Sequence, residues 1–231
     1  WKDYDEQIKK LKKNIENGEK IILPFPLLSL IDEPKLQLIT SKQYSDEISF
    51  FSKTSIYKKK MDNKKIKIGY FSARFYDCAT LQNMLDVFKN HNKDEFEIYA
   101  FNYGKVDSWT KEINKYFEKF IEISNLSIKQ ILKLSRENNI QIAVDLTGYT
   151  SNARDEIFSN KVAPIQINFL GYPGTLGTKT HDYILADKIV VPKELKKYYS
   201  EKVLYLPNCY LPTQANQKIS SKKFTKQDFG L

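Results

Sequence analysis

Residues 66–102 read IKIGYFSARFYDCATLQNMLDVFKNHNKDEFEIYAFN, and this stretch indicates how the rest of the chain folds. Its two apolar runs, Ile66 to Phe71 and Phe96 to Asn102, have the length and composition of buried strands. Between them, Thr80 to His91 carries apolar residues at helical spacing, which predicts an amphipathic helix. A strand, a helix and a strand in succession predict a parallel pair joined by a crossover.

The same alternation continues towards the C-terminal part of the chain. The further predicted elements are a helix from Ser108 to Phe120, a strand from Ile121 to Ile123, a helix after Ser127, a strand from Ile140 to Leu146, a helix from Ala153 to Phe158, a strand from Pro164 to Leu170, and shorter elements at Tyr183 to Ala186, Pro192 to Tyr198 and Lys202 to Leu206. Such regular alternation predicts an α/β protein with a Rossmann-like, doubly wound, mostly parallel sheet.

Residues 1–63 have a different pattern and are predicted to form a helical segment ahead of the sheet, which occupies residues 64–231. Apolar residues at helical spacing between residues 4 and 15 predict an amphipathic helix. The apolar run 21–28 contains two prolines, which exclude a central strand and predict an extended segment. A further helix is predicted between residues 34 and 44.

The composition is that of a soluble globular protein. Of 231 residues, 41% are hydrophobic and 28% are charged, and no stretch reaches the roughly 20 apolar residues that a bilayer span needs. Two cysteines, Cys78 and Cys209, are too few for a disulfide framework and are expected to be thiols. We expect a cytoplasmic protein with no membrane partner.

The formal net charge of +9 raises the question of a nucleic-acid partner. Lysine far outnumbers arginine, and the densest lysine run, within residues 58–67, leads directly into an apolar strand. A solvated connector is the simpler interpretation of such a run, with a phosphate-binding patch as the alternative. We therefore expect no nucleic-acid partner.

Three loops that follow predicted strands carry polar or conformationally special residues, and ligands of doubly wound sheets bind at such loops. Residues 72–80 lead polar side chains into a helix N-terminus and its partial positive charge. Residues 147–150 read TGYT, and Arg154 follows a turn later. Residues 171–177 read GYPGTLG, in which the Pro-Gly pair fits the centre of a type II turn and the glycines permit close backbone approach. Each loop is also compatible with an ordinary turn.

These loops resemble the O-GlcNAc transferase and SPINDLY family, glycosyltransferase family 41, and the chain is identified as a bacterial-type member. The runs that carry the resemblance are residues 67–72 (KIGYFS), 145–150 (DLTGYT) with 153–154 (AR), 163–166 (APIQ) and 170–175 (LGYPGT). Shorter matches follow in family order at 182–184 (DYI), 199–202 (YSEK) and 206–207 (LP). The resemblance covers essentially the whole chain.

The resemblance implies the N-terminal Rossmann-like lobe of a GT-B glycosyltransferase, with residues 1–63 as the linker that follows tetratricopeptide repeats. Family members transfer a sugar from a nucleotide donor, usually UDP-GlcNAc and in plant SPINDLY GDP-fucose, to Ser or Thr hydroxyls of proteins. They do so with inversion and without a metal or other cofactor. The implied partners are acceptor proteins and the C-terminal lobe and repeats of the same gene product. Because that lobe supplies most nucleotide contacts in the family, the chain alone is expected to be inactive.

The resemblance also assigns candidate site residues. The first of the three loops carries a histidine in the family, a proposed base or sugar-positioning group, and Cys78 stands there in this chain. A thiol is a poor proton acceptor near neutral pH, which motivates a second hypothesis, a binding or scaffold module that has lost catalysis. The residues that match the family's donor-binding loops are Tyr149, Thr150, Leu170, Gly171, Tyr172, Pro173, Gly174 and Thr175.

Plain structural roles are the alternative for several polar residues. Tyr149 and Tyr172 could fill the crevice floor, and Arg154 could cap carbonyls or pair with a neighbouring carboxylate. His91 is expected to be a solvated residue at the end of a helix, and His181 to lie on a connector. A nucleotide-dependent enzyme of another Rossmann type is a third possibility, but no Gly-x-Gly-x-x-Gly follows the first predicted strand, so the dinucleotide fingerprint is absent.

Overall fold

The computed structural model describes residues 3–48, 65–215 and 220–230. Its seven-stranded sheet consists of β1 (Ile66–Ser72), β2 (Phe96–Asn102), β3 (Lys119–Glu122), β4 (Ile142–Asp145), β5 (Ile165–Asn168), β6 (Tyr183–Ala186) and β7 (Lys202–Tyr205). The order across the sheet is β3-β2-β1-β4-β5-β6-β7, and every neighbouring pair is parallel. This arrangement confirms the predicted doubly wound, Rossmann-like fold.

Helices precede the sheet and connect its strands. They are α1 (Tyr4–Glu16), α2 (Pro24–Leu30), α3 (Pro34–Ser45), α4 (Ala79–Lys89), α5 (Ser108–Ile113), α6 (Ile128–Glu137) and α7 (Asp155–Ser159), with short 3-10 helices at Asn114–Tyr116, Lys193–Tyr198 and Lys226–Phe229. None of the helices in the described ranges combines the length and apolar character that crossing a bilayer requires.

Strand β1 contributes to two hydrophobic cores, one on each face of the sheet. Tyr70 packs with Met84 and Phe88 of α4 in the first core. Phe71 stacks on Phe101 of β2 in the second core, with 4.3 Å between the ring centroids. Because helices cover both faces, the central strand must be apolar on both sides, and its sequence therefore shows a continuous apolar run rather than an alternation.

Helices α1 to α3 have a small core of their own, formed by Ile15, Leu27, Ile31 and Leu36. Helix α3 also packs against the sheet domain: the Ser41 hydroxyl lies 3.3 Å from the Tyr172 hydroxyl. The ring of Tyr44 meets the ring of Tyr149 edge-on at a centroid distance of 4.6 Å. The helical segment is therefore seated on loops at the carboxyl edge of the sheet.

The prediction of an extended segment over residues 21–28 is wrong, because helix α2 begins at Pro24. Its two prolines, Pro24 and Pro26, both lie in the first turn. Amide groups there have no acceptor within the helix, so the missing protons of proline cost nothing, and the fixed φ of proline suits the first helical position.

The prediction of one helix from Ser108 to Phe120 is also wrong. Helix α5 ends at Ile113, a 3-10 turn follows, and β3 begins at Lys119, before the predicted Ile121. Pairing of Lys119 with Tyr99 of β2 extends the sheet at this point. Tertiary strand pairing therefore overrides the local helical spacing.

The remaining predicted elements are present, with smaller differences at their ends. The strands predicted at 140–146 and 164–170 are shorter, and the helix predicted at 192–198 is a 3-10 helix. Most of the lysine run within residues 58–67 lies outside the described residues, so the solvated connector stays a prediction there. Lys67 itself pairs with Glu97 at 3.0 Å.

Candidate functional site

Strands β1, β4 and β5 are parallel neighbours, so the loops that follow them meet at one edge of the sheet. We name these loops the first (residues 73–78), second (146–154) and third (169–177) exit loops, and the surface they form the crevice wall. All candidate site residues predicted from the sequence lie on these loops. The structure brings the three loops together along one edge, with some of the candidate side chains at the rim and others buried behind it.

Hydrogen bonds join the first exit loop to the second. The amide of Ala73 donates to Thr147 Oγ1 at 3.2 Å. The guanidinium of Arg74 reaches across the rim, where Nη2 lies 2.9 Å from Ser151 Oγ and 3.5 Å from Thr150 Oγ1. Thr150 is therefore fixed at the junction of the two loops.

Asp145, the last residue of β4, shapes the second exit loop. Its Oδ1 accepts hydrogen bonds from the amides of Thr147 at 2.9 Å and Gly148 at 3.0 Å. Gly148 has φ of +52°, and a Cβ atom there would lie 2.5 Å from Cβ of Tyr172. Glycine is needed at this position for both reasons.

The second and third exit loops touch through their backbones. A Cβ atom on Gly171 would lie 2.1 Å from the carbonyl oxygen of Leu146. The close backbone approach at this glycine is therefore between the two loops. No other residue type fits between the two loops without moving one of them.

The predicted type II turn over Pro173 and Gly174 is wrong. Such a turn needs a positive φ at its glycine, whereas the positive φ values in the third exit loop belong to Leu170, at +68°, and Gly177, at +67°. The side chain of Asn168 organises the loop instead, because its Nδ2 donates to the carbonyls of Tyr172 at 3.1 Å and Gly174 at 3.4 Å.

Thr175 is turned into the protein interior. Its hydroxyl donates to Oε2 of the buried Glu201 at 2.7 Å, and Glu201 Oε1 accepts from the Leu176 amide at 2.6 Å. Burial raises the pKa of the Glu201 carboxyl. The side chain of Thr175 therefore fixes the third loop to the strand region behind it.

Tyr149 and Tyr172 form the floor beneath the rim, as the structural alternative predicted. Both are buried, and their ring centroids lie 5.4 Å apart. The Tyr149 hydroxyl donates to the carbonyl of Leu176 at 2.7 Å. Burial raises the pKa of both phenols, so they stay neutral at physiological pH.

Cys78 occupies the N-cap position of α4, with extended backbone and no side-chain capping bond. Its thiol is half-buried, donates weakly to the carbonyl of Arg74 at 3.6 Å, and packs against the first hydrophobic core. Both Cys78 and Cys209 are free thiols, as predicted. The N-cap position leaves the first amides of α4 without a side-chain acceptor from this residue.

Two buried residues, Asp145 and His181, and the partly buried Asp155 lie behind the second exit loop. His181 Nε2 is 3.5 Å from Oδ2 of Asp145 and has no hydrogen-bond partner in the described structure. Burial, with the nearby charge of Asp145 second, raises the pKa of Asp155 to about 8. Sequence reasoning missed this group; the one usable signal was an acidic residue at the end of a buried strand.

Arg154 and His91 have structural roles. Arg154 donates to the carbonyls of Ile123 at 2.9 Å and Leu126 at 3.1 Å and pairs with Glu156 at 3.2 Å, as the plain alternative predicted. The expectation of a solvated His91 is wrong, since it is half-buried and its Nε2 lies 2.8 Å from the hydroxyl of Tyr70. Burial lowers the pKa of His91.

The crevice wall thus offers glycine backbone, hydroxyl groups and one guanidinium to a ligand. These groups suit hydrogen bonding to a polar or anionic molecule. Among the described residues, no three His, Cys, Asp or Glu side chains are grouped as metal ligands would be.

The chain is similar to several nucleotide-sugar transferases. The probable UDP-N-acetylglucosamine–peptide N-acetylglucosaminyltransferase SEC of Arabidopsis thaliana is 31% identical over 228 residues, which cover 91% of this chain and 23% of that protein. The UDP-N-acetylglucosamine–peptide N-acetylglucosaminyltransferase of Caenorhabditis elegans is 27% identical, covering 91% of this chain and 20% of the relative. The chain therefore spans less than a quarter of these curated relatives.

Two further proteins are similar to this chain, one in sequence and one in fold. The Arabidopsis thaliana protein named SPINDLY is 29% identical over 153 residues, covering 64% of this chain and 17% of that protein. A solved structure of a mutant Thermobaculum terrenum O-GlcNAc transferase superposes with a TM-score of 0.69 over 78% of this chain and 35% of the other, at 20% identity. That likeness shows a shared fold.

The family model described as glycosyl transferase family 41 matches residues 1–224, nearly the whole chain, and includes the three exit loops. The chain therefore belongs to glycosyl transferase family 41.

Proposed function

We propose that the crevice wall is the N-terminal half of the sugar-transfer site of a protein O-glycosyltransferase. The proposed reaction moves GlcNAc from UDP-GlcNAc to Ser or Thr hydroxyls of proteins, with inversion and without a metal. One observation carries the proposal: the exit loops of three adjacent parallel strands are fastened into one continuous wall. The relatives' names, which specify UDP-N-acetylglucosamine and peptide, support the substrate class.

Each part of the wall has a proposed task. Gly171 and Pro173, which are partly exposed, face the donor, and the buried Leu170 and Gly174 support that side of the wall. Thr150 offers its hydroxyl to the sugar. Tyr149, Tyr172 and Thr175 are buried and bonded within the protein, which supports a role in holding the loops rather than in contacting the donor.

The transfer forms a bond from the acceptor oxygen to the anomeric carbon while the bond from that carbon to the diphosphate breaks. Inversion requires attack from the face opposite the diphosphate, and the hydroxyl proton must leave. Cys78 lies at the start of α4 where the family has a histidine, but a thiol accepts a proton poorly near neutral pH. We propose that Cys78 lines the crevice wall without accepting the proton, which passes to another group or to solvent.

The same proposal extends to the organisation of the gene product. Residues 1–63 would link tetratricopeptide repeats to the lobe at 64–231, and a C-terminal lobe would supply most contacts to the nucleotide. The packing of α3 against Tyr149 and Tyr172 supports this, because it seats the linker beside the crevice wall. We expect the 231-residue chain alone to be inactive.

A ligand screen on the natural gene product tests the proposal. Thermal shift with UDP-GlcNAc and GDP-fucose, followed by a transfer assay on a mixture of Ser- and Thr-containing peptides, should show stabilisation by one nucleotide sugar and transfer from it, because ligands stabilise the folded state that binds them. Absence of both binding and transfer would refute the function.

A catalytically inactive binding module is the second candidate, and the thiol at position 78 favours it. Cys78→His in the natural gene product separates the two. If the wild type transfers almost no sugar and Cys78→His raises the transfer rate, the protein is an enzyme that has lost catalysis, as the second candidate states. An active wild type that the substitution leaves unchanged shows instead that this position does not carry the base.

A further inference from the structure

Arg74 carries a positive charge at the crevice wall that no carboxylate of the described residues balances. None of the ion pairs among residues 3–48, 65–215 and 220–230 includes it. Its hydrogen-bond acceptors are the neutral hydroxyls of Thr150 and Ser151. The side chain is only partly exposed, so bulk water does not fully solvate the charge.

The geometry leaves donors of this guanidinium available. Both hydroxyl contacts are made by Nη2, so Nε and Nη1 have no acceptor among the described residues. The contacts to Thr150 and Ser151 hold the planar group at the rim. A guanidinium fixed in this way matches the paired oxygens of a phosphate or carboxylate.

Arg154, on the neighbouring loop, is an arginine whose donors are bonded within the protein. Its guanidinium is used by the carbonyls of Ile123 and Leu126 and by the carboxylate of Glu156. Arg74 has no comparable set of partners. The difference indicates that Arg74 is placed for a ligand rather than for the fold.

The surroundings of Arg74 also favour an anion. The first exit loop returns so that the Cys78 thiol lies 3.6 Å from the carbonyl of Arg74, and helix α4 starts directly afterwards without a side-chain cap. Uncapped amides at a helix start add positive potential. The carboxylate of Asp77 accepts a hydrogen bond from Gln82 Nε2 at 2.8 Å and forms no ion pair with Arg74 among the described residues.

We infer that Arg74 binds the diphosphate of the nucleotide-sugar donor, as a further residue of the transfer site. This inference rests on the proposed function. Thr150, which Arg74 contacts, lies on the loop assigned to the sugar, and the diphosphate is bonded to the anomeric carbon of that sugar. The diphosphate is an anion that every such donor carries, whereas an acidic side chain on an acceptor protein is optional.

Binding of UDP, with GDP in parallel, by Arg74 variants of the natural gene product tests the inference. Titration calorimetry should show that Arg74→Met weakens the binding of UDP and GDP by a factor on the order of ten to a hundred, which is the effect of losing a charge-assisted hydrogen bond. Arg74→Lys should recover part of the affinity, because lysine keeps the charge but not the planar fork. Binding of the corresponding nucleoside should stay unchanged. Arg136→Met, on the exposed face of α6, is the matched control and should bind like the wild type.

The outcomes separate this inference from the proposed function. If the wild type binds UDP or GDP and Arg74→Met binds it equally well, the inference is wrong but the proposed function stands. A raised KM for acidic acceptor peptides with unaltered UDP and GDP affinity also overturns it and assigns Arg74 to the acceptor. Equal loss of nucleoside and diphosphate binding, with a lowered melting temperature, would reveal a structural role. A wild type that binds neither nucleotide removes both the inference and the proposed function.

Discussion

The second and third exit loops differ from the first in how the chain holds them. Backbone contact at Gly171 and the carboxylate of Asp145 lock the second and third loops against each other and against the sheet. In the first loop, Arg74 and Cys78 remain partly exposed, with weak or neutral partners. The locked loops set the shape of the wall. The first loop has polar side chains that the fold leaves partly unpaired, and these are the groups available to a ligand.

The largest expected loss of stability is at the backbone contact between Gly171 and Leu146. Gly171→Ala would place a methyl group 2.1 Å from the Leu146 carbonyl oxygen, so the two loops must separate. We expect a loss on the order of 4 kcal/mol in the free energy of unfolding, measured by urea denaturation. Gly18→Ala is the control, because nothing lies within 4 Å of its Cβ position and only backbone strain of about 1 kcal/mol applies. Equal losses in the two variants would contradict the backbone lock.

The next effect concerns the carboxylate that shapes the second loop. Asp145→Ala leaves the buried amides of Thr147 and Gly148 without their acceptor, and we expect a loss of about 2 kcal/mol in urea denaturation. Asp145→Asn keeps a side-chain oxygen and should lose clearly less. If the two substitutions were equivalent, the charge and not the hydrogen bonds would hold the loop.

A smaller, pH-dependent effect is expected behind the second loop. The pKa of Asp155 is raised to about 8, far above the roughly 3.9 of an unfolded aspartate. Between these values the folded chain holds a proton that the unfolded chain has lost, so stability falls as pH rises through this window. The ceiling is about 1.4 kcal/mol per pH unit. Because Asp155 is partly exposed, we expect about 1 kcal/mol in total between about pH 5 and about pH 7.

Asp155→Asn isolates this contribution. Urea denaturation of the variant should show a weaker dependence on pH than the wild type over the same window, since the amide does not titrate. Parallel pH profiles for the two proteins would show that another group causes the dependence.

The smallest effect, and one of opposite sign, is expected in the first loop. Cys78→Ser supplies an N-cap oxygen that α4 lacks, so the free energy of unfolding should rise by about 0.5 kcal/mol. Cys209→Ser, at an exposed thiol, is the control and should change nothing. A destabilised Cys78→Ser protein would mean that packing of the thiol against the first core outweighs capping, and the first loop would then be as constrained as the others.

Much of this architecture could be predicted because its signals are local. Apolar periodicity lies within single segments, so the sequence indicated the strands and helices of the sheet, and parallel topology then placed the exit loops on one edge. The errors arose where distant parts of the chain compete with local preference. Residues 119–122 pair with β2 where a helix was predicted to continue to residue 120, and Asn168 organises the third loop in place of the expected turn.

The candidate site divides in the same way. The glycines and Thr150 were found from short motifs in one stretch of chain. The partners of Arg74 lie 76 and 77 residues further along the chain, and the partner of Thr175 lies 26 residues away. No periodicity links residues at such separations. The sequence therefore did not predict that Arg74 lacks a carboxylate partner, that the pKa of Asp155 is raised or that His181 is buried.

The amino-acid order alone sufficed for the class of fold, the edge where a ligand is predicted to bind and the family resemblance, because each depends on short apolar runs and contiguous motifs. Which polar groups at that edge are used by the fold, and which are left for a ligand, depends on contacts between loops from different strands. Burial and hydrogen-bond pairing are properties of the packed molecule, and they distinguish Arg74 from Arg154 although both are arginines on neighbouring loops.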